Sequence, residues 1–328
     1  MARKGCVGGS AVRAASYAVA LVLGAAAPGA AGQEAGSGLD RIAKALGKAR
    51  IEKSFQAMNR PFEPFRVVGN IYYVGASDVT SFLITTPEGH VLVDSGFAET
   101  VPMIRANVER LGFRFGDVKF LLNTHAHVDH AGGHALLKRL TGAKIVMSEA
   151  DAGLLSRGGK GDALPVDDAV LAYEPATADR VVRDGDRVTL GGVTLTAHLT
   201  PGHTKGSTTW TTTVDDGGKR LNVVFFSSTT LLPGVRLVDN PDYPNIADDF
   251  AKSFRTLKAL PCDVFLAPHG SMFALGEKAK KARAGGGPNP FIDPDGYRRF
   301  VDLSERAFLG RLSREKASHP GGNDGAGR

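Results

Sequence analysis

Short apolar runs and longer amphipathic runs alternate along most of the chain, beginning at about residue 65. Runs rich in Val, Ile, Phe and Thr predict strands, whereas apolar positions three or four residues apart predict helices. An α/β chain is therefore expected. In the first half, the pattern predicts strands at 71–74, 81–85, 91–94, 118–123 and 144–147, and helices at 99–111, 132–140 and 149–155.

The second half repeats this alternation, and we expect two similar halves facing each other within one domain of residues 33–312. A helix over 39–58 is expected on the outside or over the edge of a site. Glycine-rich segments at 157–162 and 284–288 predict mobile loops, and polar residues 313–328 predict a flexible tail. Strands are predicted at 187–190, 193–199, 208–213, 221–226 and 264–267, and helices at 246–257 and 294–312.

The first residues have the organisation of a targeting segment. Basic residues up to Arg13 precede an apolar run at 14–27, which is too short to span a bilayer and is followed by small residues at 30–32. This order predicts a secretory signal peptide over 1–32, with a buried N-terminal helix as the alternative. No later stretch has the length and hydrophobicity of a membrane span, so we expect a periplasmic protein without a membrane anchor.

Composition narrows the class of protein. A chain of 328 residues that is 42% hydrophobic and 23% charged excludes collagen, coiled coil and wholesale disorder, and allows one large or two small domains. The formal net charge of +6 suggests a nucleic-acid partner. Residues 1–32 contain three basic and no acidic residues, so half of that charge would leave with the signal peptide. No nucleic-acid partner is therefore expected.

The two cysteines offer no internal disulfide. Cys6 lies in the leader, before the apolar run, where it is not placed for lipid attachment. Cys262 is then alone, and its apolar neighbours predict a buried, inert thiol. A metal ligand is the alternative role for Cys262.

Four potential metal ligands occur within six residues directly after the predicted strand at 118–123. In an extended turn, His125 and His127 point the same way, while Asp129 and His130 open the next helix and can aim at a neighbouring point. Imidazole and carboxylate groups suit zinc. The run therefore predicts a metal site at the end of this strand.

Two later histidines follow strands in the same manner. His203 lies in a Thr-Pro-Gly-His-Thr turn and His269 in a Pro-His-Gly turn, so five of the nine histidines occupy three strand-end turns. A packed or exposed structural role is the alternative for each, but their shared position favours metal binding. Of the other histidines, His134 could cap a helix or face solvent, His90 and His198 are expected to be structural, and His319 lies in the tail.

These motifs resemble the metallo-β-lactamase superfamily over nearly the whole mature chain. The resemblance implies an αββα sandwich, in which two mixed β-sheets lie face to face with helices outside, and two zinc ions at one sheet edge. Asp94, at the end of an early strand, would support the ligands without binding metal. One Zn²⁺ would be bound by His125, His127 and His203, and the other by Asp129, His130 and His269.

The details resemble the third subclass of these β-lactamases. After the strand at 221–226, where many hydrolases of this fold have a bridging Asp and the first subclass has Cys, the chain has only Ser and Thr up to Thr230. His125 argues against the second subclass, which usually has Asn there. Residues 148–159, 238–241, 260–264 and 289–294 also match, whereas Lys205 departs from the pattern.

The resemblance implies hydrolysis of penicillins, cephalosporins and carbapenems by a metal-bound hydroxide, and hence antibiotic resistance. Asp129 would orient the hydroxide, and Ser228, Thr229 and Thr230 would donate hydrogen bonds to the substrate carboxylate, unless they only cap a strand. The loop at 157–162 and the segment before Pro61 would shape specificity. A monomer is expected. A thiolester hydrolase or lactonase of the same fold, and a non-catalytic zinc-binding module, are the alternatives.

Overall fold

Two β-sheets lie face to face, and the chain completes the first sheet before it enters the second. The computed structural model describes residues 47–162, 164 and 168–318. Because the chain crosses between the sheets after residue 182, each half of the sequence forms one half of the sandwich.

Among the described residues, the first sheet has seven strands in sequential order. Strands β1 to β4 pair antiparallel, whereas β4 to β7 pair parallel and are connected through helices. Parallel pairing aligns the carboxyl ends of these strands along one edge. The strands are β1 (Phe65–Val68), β2 (Ile71–Tyr73), β3 (Phe82–Thr86), β4 (Gly89–Val93), β5 (Val118–Leu122), β6 (Lys144–Ser148) and β7 (Arg180–Val182).

Within the part of the chain that the structure describes, the second sheet has five strands in the order β12-β11-β10-β9-β8. Antiparallel pairing connects β8 to β11, and β12 joins β11 in parallel. Both sheets are therefore mixed. The strands are β8 (Arg187–Leu190), β9 (Val193–Leu199), β10 (Thr208–Asp216), β11 (Lys219–Phe225) and β12 (Val264–Leu266).

Helices cover the outer faces of both sheets. Short 3-10 turns at Ala98–Thr100, Phe115–Asp117 and Gly270–Phe273 connect several elements. The helices are α1 (residues 47–58), α2 (Val101–Arg110), α3 (Val128–Ala131), α4 (His134–Thr141), α5 (Glu149–Ser156), α6 (Asp168–Leu171), α7 (Ile246–Ala259), α8 (Leu275–Ala284) and α9 (Pro294–Ser318).

Alternating side chains of the strands build two layers of core. In β4, Val91 and Val93 pack between the sheets, while Leu92 packs against the helices of the first half. This is the period of two that a strand buried on both faces requires. Against the second sheet, the ring of Phe308 in α9 lies 5.5 Å from Phe250 in α7, measured between centroids.

The predicted fold class is confirmed, and so is the helical character of residues 47–58. The sequence pattern misses β1 and β7, the two edge strands of the first sheet, which have four and three residues. It also misses α6, which has four residues, and α8, where few buried side chains interrupt a polar run. Short or polar elements leave little periodic signal.

The last helix continues to Ser318, so the prediction that it ends at residue 312 is wrong. Glu315 explains the extension, because its carboxylate accepts hydrogen bonds from Leu237 N at 2.6 Å and Arg311 Nε at 2.8 Å. The predicted signal peptide, residues 39–46 of the predicted first helix and residues 319–328 of the predicted tail lie outside the described residues. Within the described ranges, no helix is long and apolar enough to cross a bilayer.

Candidate metal centre

Three turns at one edge of the sandwich bring the predicted ligands together. They follow β5, β9 and β12, and hydrogen bonds between the sheets hold the turn after β5 in place. Thr124 O accepts hydrogen bonds from Thr208 N at 2.8 Å and from Ser227 Oγ at 2.9 Å. The indole Nε1 of Trp210 donates to Asn123 O at 2.9 Å. The turn after β5 is thus attached to the second sheet.

The first group contains His125, His127 and His203. Their ring centroids lie 4.7–4.9 Å apart, and the rings are nearly perpendicular to one another. One nitrogen of each ring lies within 4.8 Å of the others. Three imidazoles converging in this way form a potential metal-binding group.

The other nitrogen of each ring has its own partner. His125 Nδ1 lies 3.1 Å from Thr124 Oγ1, and His203 Nδ1 donates to the Thr230 carbonyl at 2.8 Å. His127 instead uses Nε2, which lies 2.8 Å from Asp162 Oδ2. These contacts leave Nε2 of His125 and His203, and Nδ1 of His127, as the nitrogens available inside the group.

The second group contains Asp129, His130 and His269. Oδ2 of Asp129 lies 3.3 Å from His130 Nε2 and 3.5 Å from His269 Nε2, and the two nitrogens are 3.3 Å apart. The outer nitrogen of His269 lies 3.2 Å from Asp78 Oδ2. Two nitrogens and one carboxylate oxygen therefore surround a single point.

Asp94 lies behind both groups and outside the two sets of converging atoms. Its carboxylate accepts hydrogen bonds from Thr124 N at 2.7 Å and Thr124 Oγ1 at 2.6 Å. Oδ2 also lies 3.7 Å from His130 Nδ1. Burial raises the pKa of Asp94 to about 6, although His130 and Thr124 oppose this. Asp94 thus contacts His125 through Thr124 and faces His130 directly.

Asp151 ties the turns of the first group to each other. Its carboxylate accepts hydrogen bonds from Ala126 N at 2.9 Å, Thr204 Oγ1 at 3.1 Å and Gly206 N at 3.1 Å. Ala126 lies between the first two histidines, and Thr204 follows His203. Burial raises the pKa of Asp151 to about 7, opposed by the hydrogen bond from Thr204.

Asp129 and His203 hold the protonation states that bind cations. Burial raises the pKa of Asp129, but the neighbouring His130 and His269 outweigh burial and hold it well below its usual range. Burial, together with His127, lowers the pKa of His203 to about 3. Ionised carboxylate and neutral imidazole are the ligand forms of these side chains.

An unpartnered atom supports the same interpretation. His130 is fully buried, and its Nδ1 has no hydrogen-bond partner within the part of the chain that the structure describes. Burying an imidazole without full hydrogen bonding is unfavourable unless another interaction compensates it. A cation at Nε2 would fix the proton on Nδ1 and strengthen the attraction of that N–H to Asp94 Oδ2, which lies 3.7 Å away, so the residues present fit a metal ion.

The predicted substrate-binding residues differ in position. Ser228 and Thr229 are buried, and Ser228 Oγ accepts a hydrogen bond from Thr230 N at 3.2 Å. Thr230 is half-buried and lines a cleft next to His203. Thr230 is thus the member of this predicted set that lines the cleft, while Ser228 and Thr229 contribute to the strand end.

A model of the metallo-beta-lactamase superfamily matches residues 74–269, which include both groups of ligands. The chain belongs to this superfamily. It is similar to native FEZ-1 metallo-beta-lactamase from Legionella gormanii, with 44% identity, a TM-score of 0.77, and coverage of 79% of this chain and 98% of that one. BJP-1, a subclass B3 enzyme of Bradyrhizobium japonicum, is 41% identical, with a TM-score of 0.74 and coverage of 80% and 97%.

Curated sequence relatives match a smaller part. A hydroxyacylglutathione hydrolase of Hyphomonas neptunium is 35% identical over 101 residues, which are 31% of this chain and 30% of that protein. One from Rhodospirillum rubrum is 34% identical over 115 residues, or 35% of each chain. The chain thus spans about a third of the length of these relatives. Together, these similarities establish a metallo-hydrolase of the β-lactamase fold and confirm the resemblance to the third subclass.

Superfamily motifs lead to the six converging residues, but sequence reasoning misses their supporting partners. Asp78 and Asp162 contact ligand histidines, yet each lies in a loop without a distinctive pattern. The prediction that His134 caps a helix or faces solvent is wrong, because its Nδ1 is buried 2.6 Å from Ser95 Oγ. Cys262 is buried as predicted and belongs to neither group of converging atoms.

Proposed function

We propose that the protein is a zinc-dependent β-lactamase of the third subclass, which hydrolyses the amide bond of penicillins, cephalosporins and carbapenems. One observation carries the proposal: two adjacent three-ligand groups occur in a chain whose similarity extends over 97–98% of two metallo-beta-lactamases. Three protein ligands for each ion leave positions open for water and substrate, as in catalytic zinc sites.

The separation of the ligand atoms supports zinc and two ions. Ligands bound tetrahedrally at about 2.0–2.1 Å from zinc lie about 3.3–3.4 Å from one another. The three atoms of the second group are 3.3–3.5 Å apart. The first group consists of imidazoles, which also suit zinc.

A β-lactam is a strained cyclic amide, whose hydrolysis requires an activated water and stabilisation of developing charge. When bound, zinc ions supply a Lewis acid for both requirements. The protein contributes the arrangement: His125, His127 and His203 form one half of the site, and Asp129 joins the other half. The ionised Asp129 carboxylate also orients a water proton within the site.

We infer that the substrate carboxylate is anchored at the strand end beside His203. Thr230 lines the cleft and can donate a hydrogen bond through its hydroxyl. The buried Ser228 hydroxyl holds the Thr230 backbone in place. We assign substrate anchoring to Ser228, Thr229 and Thr230 as a set, with Thr230 making the direct contact.

A thiolester hydrolase is the second candidate, favoured by the similarity to hydroxyacylglutathione hydrolases. That similarity covers about a third of each chain, whereas the β-lactamase similarity covers almost the whole of the related enzymes. The Ser/Thr sequence after β11 also lacks the Asp expected of those hydrolases. These observations favour the β-lactam substrate.

The proposal includes the cellular setting. The N-terminal sequence predicts export, and a periplasmic monomer that opens β-lactams would protect cell-wall synthesis and confer resistance.

Purified mature protein can test the function with a chromogenic cephalosporin and a thiolester of glutathione, each with zinc and with EDTA. We expect zinc-dependent opening of the cephalosporin and little thiolester cleavage. Asp129→Ala should lower turnover by at least 100-fold while bound zinc falls from two ions toward one. Asp215→Ala, which changes an exposed carboxylate, is the matched control. Hydrolysis that is insensitive to EDTA, or absent with zinc, would contradict the proposal.

A further inference from the structure

We propose that Asp162 is a positioning residue that holds His127 in the tautomer and orientation required for metal binding. The proposal rests on the metal-binding part of the proposed function and is independent of the substrate. It concerns a carboxylate outside the six converging residues, on the glycine-rich loop that follows α5.

The contact between the two side chains is close and shielded. Nε2 of His127 lies 2.8 Å from Oδ2 of Asp162, and the side chains are only 13% and 14% exposed. An ionised carboxylate can only accept, so Nε2 carries the proton and Nδ1 is left with a free lone pair. Nδ1 is the atom that must bind metal if His127 acts with its neighbours.

His127 differs from the other histidines of its group. His125 and His203 direct Nδ1 outward to an oxygen, whereas His127 directs Nε2 outward. The outward partner of a metal-binding histidine sets its tautomer and ring orientation and makes the ring more basic. Without Asp162, the His127 ring could rotate or exchange its proton between the two nitrogens.

The loop is built to place Asp162 there. Gly158, Gly159 and Gly161 all have φ in the left-handed region, at 62°, 80° and 75°. A Cβ at Gly158 would lie 2.3 Å from Tyr173 O, so the loop packs against this backbone too closely for a side chain. These glycines allow the tight path that ends at Asp162.

Besides the contact between Asp162 and His127, Tyr173 connects the loop to the turn that follows β5. Tyr173 N donates to Gly158 O at 3.0 Å, and the Tyr173 hydroxyl donates to Ala126 O at 2.6 Å. Ala126 lies between His125 and His127. Two separate contacts therefore join the loop to this turn, one to its backbone and one to the His127 ring. A chance surface ion pair would not have this second attachment.

A direct substrate contact is the competing role, because Asp162 also lines the cleft beside His203. The two roles differ in the absence of substrate. A positioning residue affects metal binding to protein without substrate, whereas a residue that only contacts substrate does not.

The test uses Asp162→Ala and Asp162→Asn in the full mature chain. Asn retains an oxygen that can accept from Nε2 but removes the charge. Lys160→Ala is the matched control, since Lys160 is an exposed charge in the same loop and accepts from Arg157 Nε through its backbone carbonyl. Zinc affinity is measured by chelator competition without substrate. The His127 tautomer is measured by ¹⁵N NMR of the metal-free protein, at a pH high enough for the ring to be neutral.

We expect Asp162→Ala to weaken binding of one zinc ion by about 10–100-fold, the usual effect of losing an outer partner of a metal ligand. Asp162→Asn should recover part of that loss, and Lys160→Ala should bind as the unmodified protein does. His127 should carry its proton on Nε2 in the unmodified protein and show both tautomers in Asp162→Ala. Unchanged zinc affinity in Asp162→Ala, or an unchanged His127 tautomer, would overturn the proposal. Because no β-lactam is used, this result does not depend on the proposed substrate.

Discussion

Replacing Asp151 tests whether one buried carboxylate holds two ligand turns in place. Its oxygens accept hydrogen bonds from the backbone of Ala126 and Gly206 and from the Thr204 hydroxyl, at 2.9–3.1 Å. In Asp151→Ala, two backbone N–H groups lose their acceptor in a buried environment. Each such loss destabilises a protein by about 1–3 kcal/mol, so we expect a decrease of about 2–6 kcal/mol in the free energy of unfolding.

The substitution should also weaken metal binding. Ala126 separates His125 from His127, and Thr204 follows His203, so both turns of the first group would be released from their common anchor. Asp151→Asn retains the shape and one acceptor oxygen, but its NH₂ group would face one of the donors. We therefore expect Asp151→Asn to lower the free energy of unfolding by about 1–3 kcal/mol, less than Asp151→Ala does.

Urea unfolding of the metal-free protein at pH 8, above the Asp151 pKa of about 7, measures the loss of stability. Zinc titration of the same samples measures binding. Thr212→Val is the control, because it removes one part-buried hydrogen bond, which the Thr212 hydroxyl on β10 donates to Thr194 O on β9 at 2.8 Å. It should cost about 1 kcal/mol and leave zinc affinity unchanged. A destabilised Asp151→Ala protein with unaltered zinc affinity would refute the role of Asp151 in aligning the ligand turns.

Three further predictions concern buried groups. Burial and His130 lower the pKa of His134 to about 3. Between pH 6.5 and 3 the unfolded state therefore binds a proton before the folded state does, and the free energy of unfolding decreases as pH falls. His134→Gln should remove about 3 kcal/mol of the decrease measured by urea unfolding between pH 7 and pH 4, and an equal decrease in both proteins would show that His134 is not its cause. Gly206→Ala would place a Cβ 2.3 Å from Ser148 Oγ, whereas a Cβ at Gly116 would have no atom within 4 Å. Gly206→Ala should therefore lower the melting temperature and Gly116→Ala should not. Equal melting temperatures for the two variants would contradict the close packing at Gly206. Trp210→Phe should lower the free energy of unfolding by about 1–3 kcal/mol, because Asn123 O loses its buried indole donor. A variant that unfolds at the same urea concentration as the unmodified protein would refute this prediction.

A feature of this protein can be predicted from the sequence when the residues that form it lie close together along the chain. His125, His127, Asp129 and His130 are identifiable because a strand end and a short run of ligands lie in one local segment. The strand alternation likewise predicts the sandwich, since burial on a sheet repeats every two residues. These features depend on neighbours in the chain.

The parts that escape sequence reasoning depend on tertiary contacts. Asp78 reaches His269 across 190 intervening positions only because β12 ends beside the loop after β2, where Gly270 N donates to Asp78 O at 2.7 Å. Asp162 reaches His127 only because glycines direct its loop back over the turn. A lone aspartate in a polar loop has no pattern that distinguishes it from a solvated one.

Because the ligands are divided between the two sheets, each metal site is complete only when both halves of the chain are present. Each group takes two ligands from the half that forms the first sheet and one from the half that forms the second, His203 or His269. Neither half alone can offer three ligands of one group. If the two halves were expressed as separate chains divided after residue 182, their association would be expected to strengthen with zinc concentration. The metal ions would then act as reversible cross-links between two polypeptides.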